Sequence, residues 1–230
     1  MNLNGKLVLL GAGKMGGAML QGWLEGGLPA SQIIVLDPAP PPETAELIAA
    51  NGIAHNPVLE SLDPVEIVLA AVKPQIMEDA LAGAADLKRH NPLILSIAAG
   101  KTIASFEAHF GSGAAVIRSI PNTPAAIGSG ITAMAANANV TPAQMTLAES
   151  LLSSIGEVVV VDNETLIDAA TAVSGSGPAY VFYLTECLAA AGKEAGLPAD
   201  IAMQLARATV AGAGELMRQS GTPAGTLREN

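Results

Sequence analysis

In the first half of the chain the apolar positions fall in short unbroken runs. Lys6–Leu10, Ile33–Leu36, Glu66–Ala71, Leu93–Ile97 and Ala115–Arg118 read as strands. The runs are continuous rather than alternating, as in a parallel strand covered by helices on both faces. Between them lie stretches with helical spacing: Lys14–Glu25, closed by Gly26 and Gly27; Glu43–Asn51, ended by Gly52; Ile76–Leu87; and Thr102–Phe110, with Thr102 as candidate cap. Strand–helix alternation predicts an α/β fold, a doubly wound and mainly parallel sheet of the Rossmann type. Ile131–Ala135 and Glu157–Val161 extend the same sheet, with a helix over Pro142–Ile155 between them.

From about Glu164 the pattern becomes purely helical. Glu164–Val173 reads as a helix, Ser174–Pro178 as a loop, and Pro178–Ala195 and Pro198–Gln219 as long helices separated by Gly196-Leu197-Pro198. This divides the chain into a dinucleotide-binding domain, 1–162, and an all-helical domain, 163–230. Tyr180 to Gly192 carries one charge, Glu186, and Ile201 to Gly214 carries one, Arg207. A helix that is apolar nearly all round must be covered nearly all round. The expected cover is a second copy, giving a homodimer through these helices; the alternative is packing back onto the sheet.

Composition removes several classes. The 230 residues are 50% hydrophobic and 14% charged, the opposite of a disordered chain. The net charge is −10 and aromatics are 3%, so neither a basic footprint nor base-stacking faces are available, and no nucleic-acid partner is expected. The uncharged stretch Ser119–Ala148 is broken by Pro121, Pro124 and Pro142, so no membrane span is expected. Cys187 is the only cysteine, consistent with a cytoplasmic protein, and reads as a small buried helix residue.

Gly11-Ala12-Gly13-Lys14-Met15-Gly16 is G-x-G-x-x-G between a predicted strand and a predicted helix. In that context the first glycine permits the tight turn, the second lets backbone approach a pyrophosphate, and the third lets the helix pack on the strand. The helix N-terminus supplies unpaired N–H donors. Asp37 ends the second strand, where a carboxylate accepts hydrogen bonds from a ribose and repels a 2′-phosphate; residues 38–42 (PAPPP) hold no Arg or Lys. Asp37 also suits a turn before Pro38. The position alone favours NADH over NADPH.

Ligands of such sheets sit beyond the carboxyl ends of the strands. Ala71-Val72-Lys73-Pro74, Ser96–Gly100 and Pro121–Pro124 lie there, small or Pro-fixed, though each also suits an ordinary strand-to-helix loop. His55, His90 and His109 are scattered without metal-ligand spacing, and no metal site is expected. A phosphate loop of the GxxxxGK type and a GxSxG elbow are missing. A site poor in acid–base groups suits a reductase, since the cofactor carries the reaction.

With AVKP (71–74), SIAAG (96–100), RSIPNTPA (118–125) and AVSGSGPAY (172–180), the glycine fingerprint resembles the pyrroline-5-carboxylate reductases across the whole chain. The resemblance implies reduction of 1-pyrroline-5-carboxylate to L-proline with NADPH or NADH, the last step of proline biosynthesis. It also implies dimers through the helical domain, often assembled into larger rings. Gly11–Gly16 would hold the pyrophosphate, and Asp37, Pro38 and Asn56 would face the adenosine ribose. Ala71, Val72, Lys73, Pro74, Ala98 and Ala99 would line the cofactor, with Pro121, Asn122 and Thr123 near the nicotinamide; Asn230 is grouped with this set. Ser174, Gly175, Ser176, Gly177 and Pro178 would contact substrate, with Ser174, Ser176 and Thr123 as candidate catalytic hydroxyls.

In that family a Ser-Pro-Gly-Gly-Thr-Thr segment and a final helix follow the position of Leu227–Asn230. The segment supplies a carboxylate cradle and a hydroxyl near the substrate nitrogen. The chain as written is therefore expected to bind cofactor but reduce the imine poorly. Two other readings stay open. A β-hydroxyacid dehydrogenase relative would carry a catalytic Lys on the first long tail helix, where only Lys193 occurs, near its end. A non-catalytic NAD(P)-binding dimer would bind cofactor without turnover.

Overall fold

The computed structural model describes residues 3–229. The predicted position of Asn230 in the cofactor site lies outside the described residues. Eight strands form one sheet: β1 (Lys6–Leu10), β2 (Ile33–Leu36), β3 (Ala54–His55), β4 (Val65–Ala70), β5 (Leu93–Ser96), β6 (Val116–Ile120), β7 (Gly130–Ala136) and β8 (Gly156–Val160). Their order is β3-β2-β1-β4-β5-β6-β7-β8. All neighbours are parallel except β6 and β7, which pair antiparallel. The chain winds outward from β1 to β3, then returns to place β4 on the other side of β1. The switch point therefore lies between β1 and β4, where ligands of open α/β sheets bind.

Helices α1 (Lys14–Glu25), α2 (Pro42–Ala50), α3 (Met77–Gly83), α4 (Ile103–Phe110) and α5 (Pro142–Leu152) join the strands. Two apolar layers form, one centred on Leu7, Leu9, Met19 and Trp23, the other on Val8, Met77, Leu87 and Phe106. This is the reason the central strands carry apolar residues on both faces. Thr102 caps α4 by accepting the Ser105 N–H. Thr141 and Gln144 form a reciprocal capping box at α5. The predicted helix 76–87 is instead α3 flanked by 3₁₀ turns at Pro74–Ile76 and Ala85–His90.

The chain divides into two compact units, 1–175 and 176–230. The first includes α6 (Thr165–Ala170) and a π-helical turn, Thr171–Gly175. Ile167 packs with Ile120, Ala133 and Ala135, so residues 165–175 build against β6 and β7. The second unit holds α7 (Gly177–Glu194), α8 (Ala199–Ser220) and α9 (Ala224–Glu229). The structure corrects the predicted loop 174–178. Ser174 and Gly175 end the π turn, and Gly177 and Pro178 begin α7. The Thr171 and Ser174 hydroxyls donate to the carbonyls of Ile167 and Ala170, so these side chains bond within the helical backbone where Gly and Ser suggested a loop. Cys187 is exposed in the single chain, not buried.

Candidate active site

A cavity of about 890 Å³ opens at the switch point, at the carboxyl ends of β1, β2 and β4. That is the size of a small-molecule site. Of the residues expected to bind cofactor, Gly11, Gly13, Asp37, Pro38, Asn56, Ala71, Val72 and Lys73 form its walls. Gly11 has φ +91°, and a Cβ there would lie 2.6 Å from Val72 Cγ1. Only glycine allows both that backbone and that approach. A Cβ on Gly16 would stand 2.4 Å from the Gly11 carbonyl oxygen, whereas one on Gly13 would meet nothing within 4 Å. The first and third glycines thus close the turn, and the second leaves open space beside the cavity.

The start of α1 is free of competing groups. No side chain caps it and its first turn holds no acid. Its orphan N–H groups and positive dipole end remain available to an anion. The residues present therefore fit a dinucleotide: a glycine turn with open space, an uncapped helix N-terminus, and a carboxylate at the end of β2. Ala12 and Gly16 are buried beneath the turn, and Lys14 is exposed. Lys14, Met15 and Pro74 flank the cavity in sequence but are not among its walls.

Asp37 makes the turn that its position allowed, together with a contact the sequence did not show. Its Oδ1 accepts the Ala39 N–H at 2.9 Å, a local turn, while Oδ2 accepts the Ala12 N–H at 2.7 Å, inside the glycine turn. Asn56 stands beside it at φ 48°. The Asn56 side chain accepts the Asp37 N–H at 3.0 Å and donates to the Asp37 carbonyl at 2.9 Å. His55 Nε2 lies 2.8 Å from that same carbonyl.

The opposite wall went unforeseen: Leu59, Ile76, Asp79, Ala80, Gly83 and Ala84. Positions 80, 83 and 84 share one helical face, and the small residues at that spacing were the available signal. Nearby, a hydrogen bond from Lys101 outweighs burial and holds the Glu78 carboxyl below its ordinary range; His109 adds to the effect. These contacts tie α3 to α4.

Around β6 lies a second group of expected site residues. Asn122 is buried; its Nδ2 donates to the Ser174 carbonyl at 3.1 Å, and its Oδ1 accepts the Ile131 N–H at 3.0 Å. Its side chain thus holds the β6–β7 loop to the π turn. Pro121 and Ala98 are buried, and Ala99 and Thr123 are exposed. None of these lines the cavity. Ser174 and Gly175 belong to the sheet unit, and Ser176, Gly177 and Pro178 to the helical unit.

Sequence reasoning also missed Arg118. It is 4% exposed on β6, with Nη1 3.1 Å from Glu164 Oε1 and Nη2 2.7 Å from Asp168 Oδ1. Glu164 Oε1 also accepts the Ile103 N–H at 2.8 Å. One buried cation thus joins α4, β6 and α6. A lone Arg inside the apolar run Ala114–Ile120 was its signal.

Fold and glycine turn together define a Rossmann-type dinucleotide-binding protein. Comparison with known proteins narrows this. A family profile described as pyrroline-5-carboxylate reductase dimerisation matches residues 164–230, and one described as NADP oxidoreductase, coenzyme F420-dependent, matches residues 6–100. The pyrroline-5-carboxylate reductase of Pseudomonas aeruginosa is 37% identical over 97% of this chain and 82% of its own length. That of Synechocystis is 45% identical over 70% of this chain and 59% of its own. Among solved structures, a pyrroline-5-carboxylate reductase from Coxiella burnetii superposes with a TM-score of 0.88 at 27% identity, covering 99% of this chain and 84% of that one. The Plasmodium falciparum pyrroline carboxylate reductase, solved with NADP bound, gives 0.80 at 28% identity over 99% of this chain and 84% of its own. This chain belongs to the pyrroline-5-carboxylate reductase family.

Proposed function

We propose that this chain reduces 1-pyrroline-5-carboxylate to L-proline by hydride transfer from NADPH or NADH, the closing step of proline biosynthesis. The observation that carries the reading is a similarity to reductases of this name running nearly end to end, joined to a cavity whose walls fit a dinucleotide. When bound, the nicotinamide supplies the hydride.

The chain's own part is binding and orientation. The Gly11–Gly16 turn and the start of α1 would hold the pyrophosphate, Asp37 and Asn56 would meet the adenosine ribose, and Ala71–Pro74 and Ala98–Ala99 would flank the cofactor's course. Pro121, Asn122 and Thr123 would lie toward the nicotinamide. Substrate contacts are assigned to Ser174–Pro178, where helix-start N–H groups suit a carboxylate. A protonated cyclic imine is already electrophilic, so a hydroxyl donor to its nitrogen suffices, from Ser174, Ser176 or Thr123. The Ser174 hydroxyl donates to Ala170 in the isolated chain and would have to turn to serve.

The helical unit, 176–230, which lies within the matched residues 164–230, is assigned to homodimerisation. Tyr180, Phe182, Tyr183 and Leu184 on α7 and Leu205 and Leu216 on α8 are exposed in the single chain, an apolar surface that a second copy would cover. Sizing by light scattering reads either a dimer or a ring built from dimers. We assign the protein to the cytoplasm, a reading supported by its single unpaired cysteine. Among the described residues, no helix is long and apolar enough to cross a membrane.

The test is loss of reduced-nicotinamide absorbance with purified chain. Oxidation dependent on pyrroline-5-carboxylate, and absent with hydroxy acids, is expected. Turnover of a hydroxy acid would favour a β-hydroxyacid dehydrogenase. Cofactor binding with no turnover would leave the non-catalytic dimer.

A further inference from the structure

At the β2 end of the cavity, Asp37 is not a free rim group. Each carboxylate oxygen accepts a backbone N–H, one from Ala39 and one from Ala12 inside the glycine turn. The Asp37 backbone is held in turn by both polar atoms of Asn56. The charge is therefore fixed in place. Rotating it away would strip the Ala12 N–H of its acceptor and release the phosphate-binding turn.

Each carboxylate oxygen keeps a further lone pair, so it can still accept from a ribose hydroxyl. A 2′-phosphate brings only acceptors and negative charge. The fixed charges around the cavity do not offset that charge. Residues 38–42 hold no cation, and the cavity walls carry one ammonium, Lys73, against two carboxylates, Asp37 and Asp79.

We propose that Asp37 makes this chain select the dinucleotide with a free 2′-hydroxyl, NADH, and that the same side chain is a structural member of the phosphate-binding turn. Selection and turn geometry are then coupled. Removing the carboxylate relieves the repulsion but also loosens the pyrophosphate site, so it does not convert the chain to tight NADPH binding. The proposal rests on the dinucleotide reading above.

The experiment is calorimetric titration of the full chain with NADH and NADPH, without substrate, so that the readout is binding. NADH is expected to bind at least ~10-fold tighter than NADPH, with the gap narrowing as salt screens the fixed charge. Asp37→Ser is expected to weaken NADH by about 10-fold, with NADPH remaining weaker than NADH in the parent. Ala39→Arg puts a cation on the rim and keeps the carboxylate, and is expected to shift the NADPH-to-NADH affinity ratio about 10-fold toward NADPH. Thermal melts confirm that each variant is folded; if Asp37→Ser is not, the parent and Ala39→Arg still decide. Equal or tighter NADPH binding by the parent would overturn the proposal. So would an Asp37→Ser chain that binds NADPH as tightly as the parent binds NADH. Binding of neither dinucleotide would overturn the dinucleotide reading itself.

Discussion

The two compact units use apolar residues in opposite ways. In the sheet unit the largest fully buried side chains are apolar: Trp23, Phe106, Leu7 and Met19 have no exposed surface. In the helical unit the described buried residues are Ala189, Ala202 and Ala206, while its aromatic and leucine side chains stay out. Small residues let α7 and α8 approach closely: a Cβ on Gly192 would already lie 3.1 Å from the Ala202 Cβ. The close pair then presents its large side chains outward. A sheet with helices on both faces completes its own core, whereas two helices have no second layer to do so. The first unit is built to fold by itself, and the second to be finished by another chain.

The largest effect should come from emptying the self-sufficient core. Trp23 fills the layer beneath β1 and its Nε1 donates to the Leu151 carbonyl at 2.9 Å. Trp23→Ala is expected to cost about 3–5 kcal/mol in urea unfolding. A smaller loss would mean that the sheet unit also depends on its partner.

Next comes the outward face of the helical unit. Tyr183→Asp combined with Leu205→Asp should weaken self-association at least ~100-fold by light scattering, as loss of central apolar anchors does. The melting of the sheet unit should barely move. Unchanged association would place the dimer contact elsewhere.

Arg118 sharpens the contrast, because it fastens α6 to the sheet unit rather than to the helices that follow. Arg118→Met should cost about 2 kcal/mol of stability, below the figure for a fully buried pair because its carboxylates remain partly wet. Dinucleotide affinity, measured by titration, should change little, since Arg118 is not a cavity wall.

The smallest effect is a pH dependence. Burial, with the Arg89 guanidinium beside it, holds His90 below its ordinary imidazole value, and its Nε2 has no hydrogen-bond partner among the described residues. The unfolded chain then binds the proton more readily than the folded one, so this contribution is present above the ordinary imidazole range and is lost as pH falls through it. His90→Gln should flatten the acid side of a stability profile by less than about 1 kcal/mol. An unaltered profile would assign the slope to other groups.

Much of the fold is legible in the sequence because its signals are local. Strand runs, glycine stops, the Thr102 cap and the glycine turn each depend on neighbours within a few positions. Asp37 was legible as the end of β2, but its hold on Ala12 was not, since that contact joins residues 25 apart. The two-residue strand β3 was too short to show a pattern. Ser174–Pro178 was misread because Ser and Gly punctuate helices on average, while here Asn122, remote in sequence, bonds to the π turn at Ser174.

The sequence alone thus determined the alternation of elements, the place of the dinucleotide turn, and the apolar excess of the last helices, all matters of period and spacing. Tertiary structure alone decided that β7 runs against β6, that α3 walls the cavity, that Arg118 binds three elements, and that Asp37 is locked into the turn it faces. The physical reason is distance along the chain. Local patterns set backbone conformation residue by residue, but strand order and the pairing of remote polar groups are settled only when two apolar layers close on one sheet.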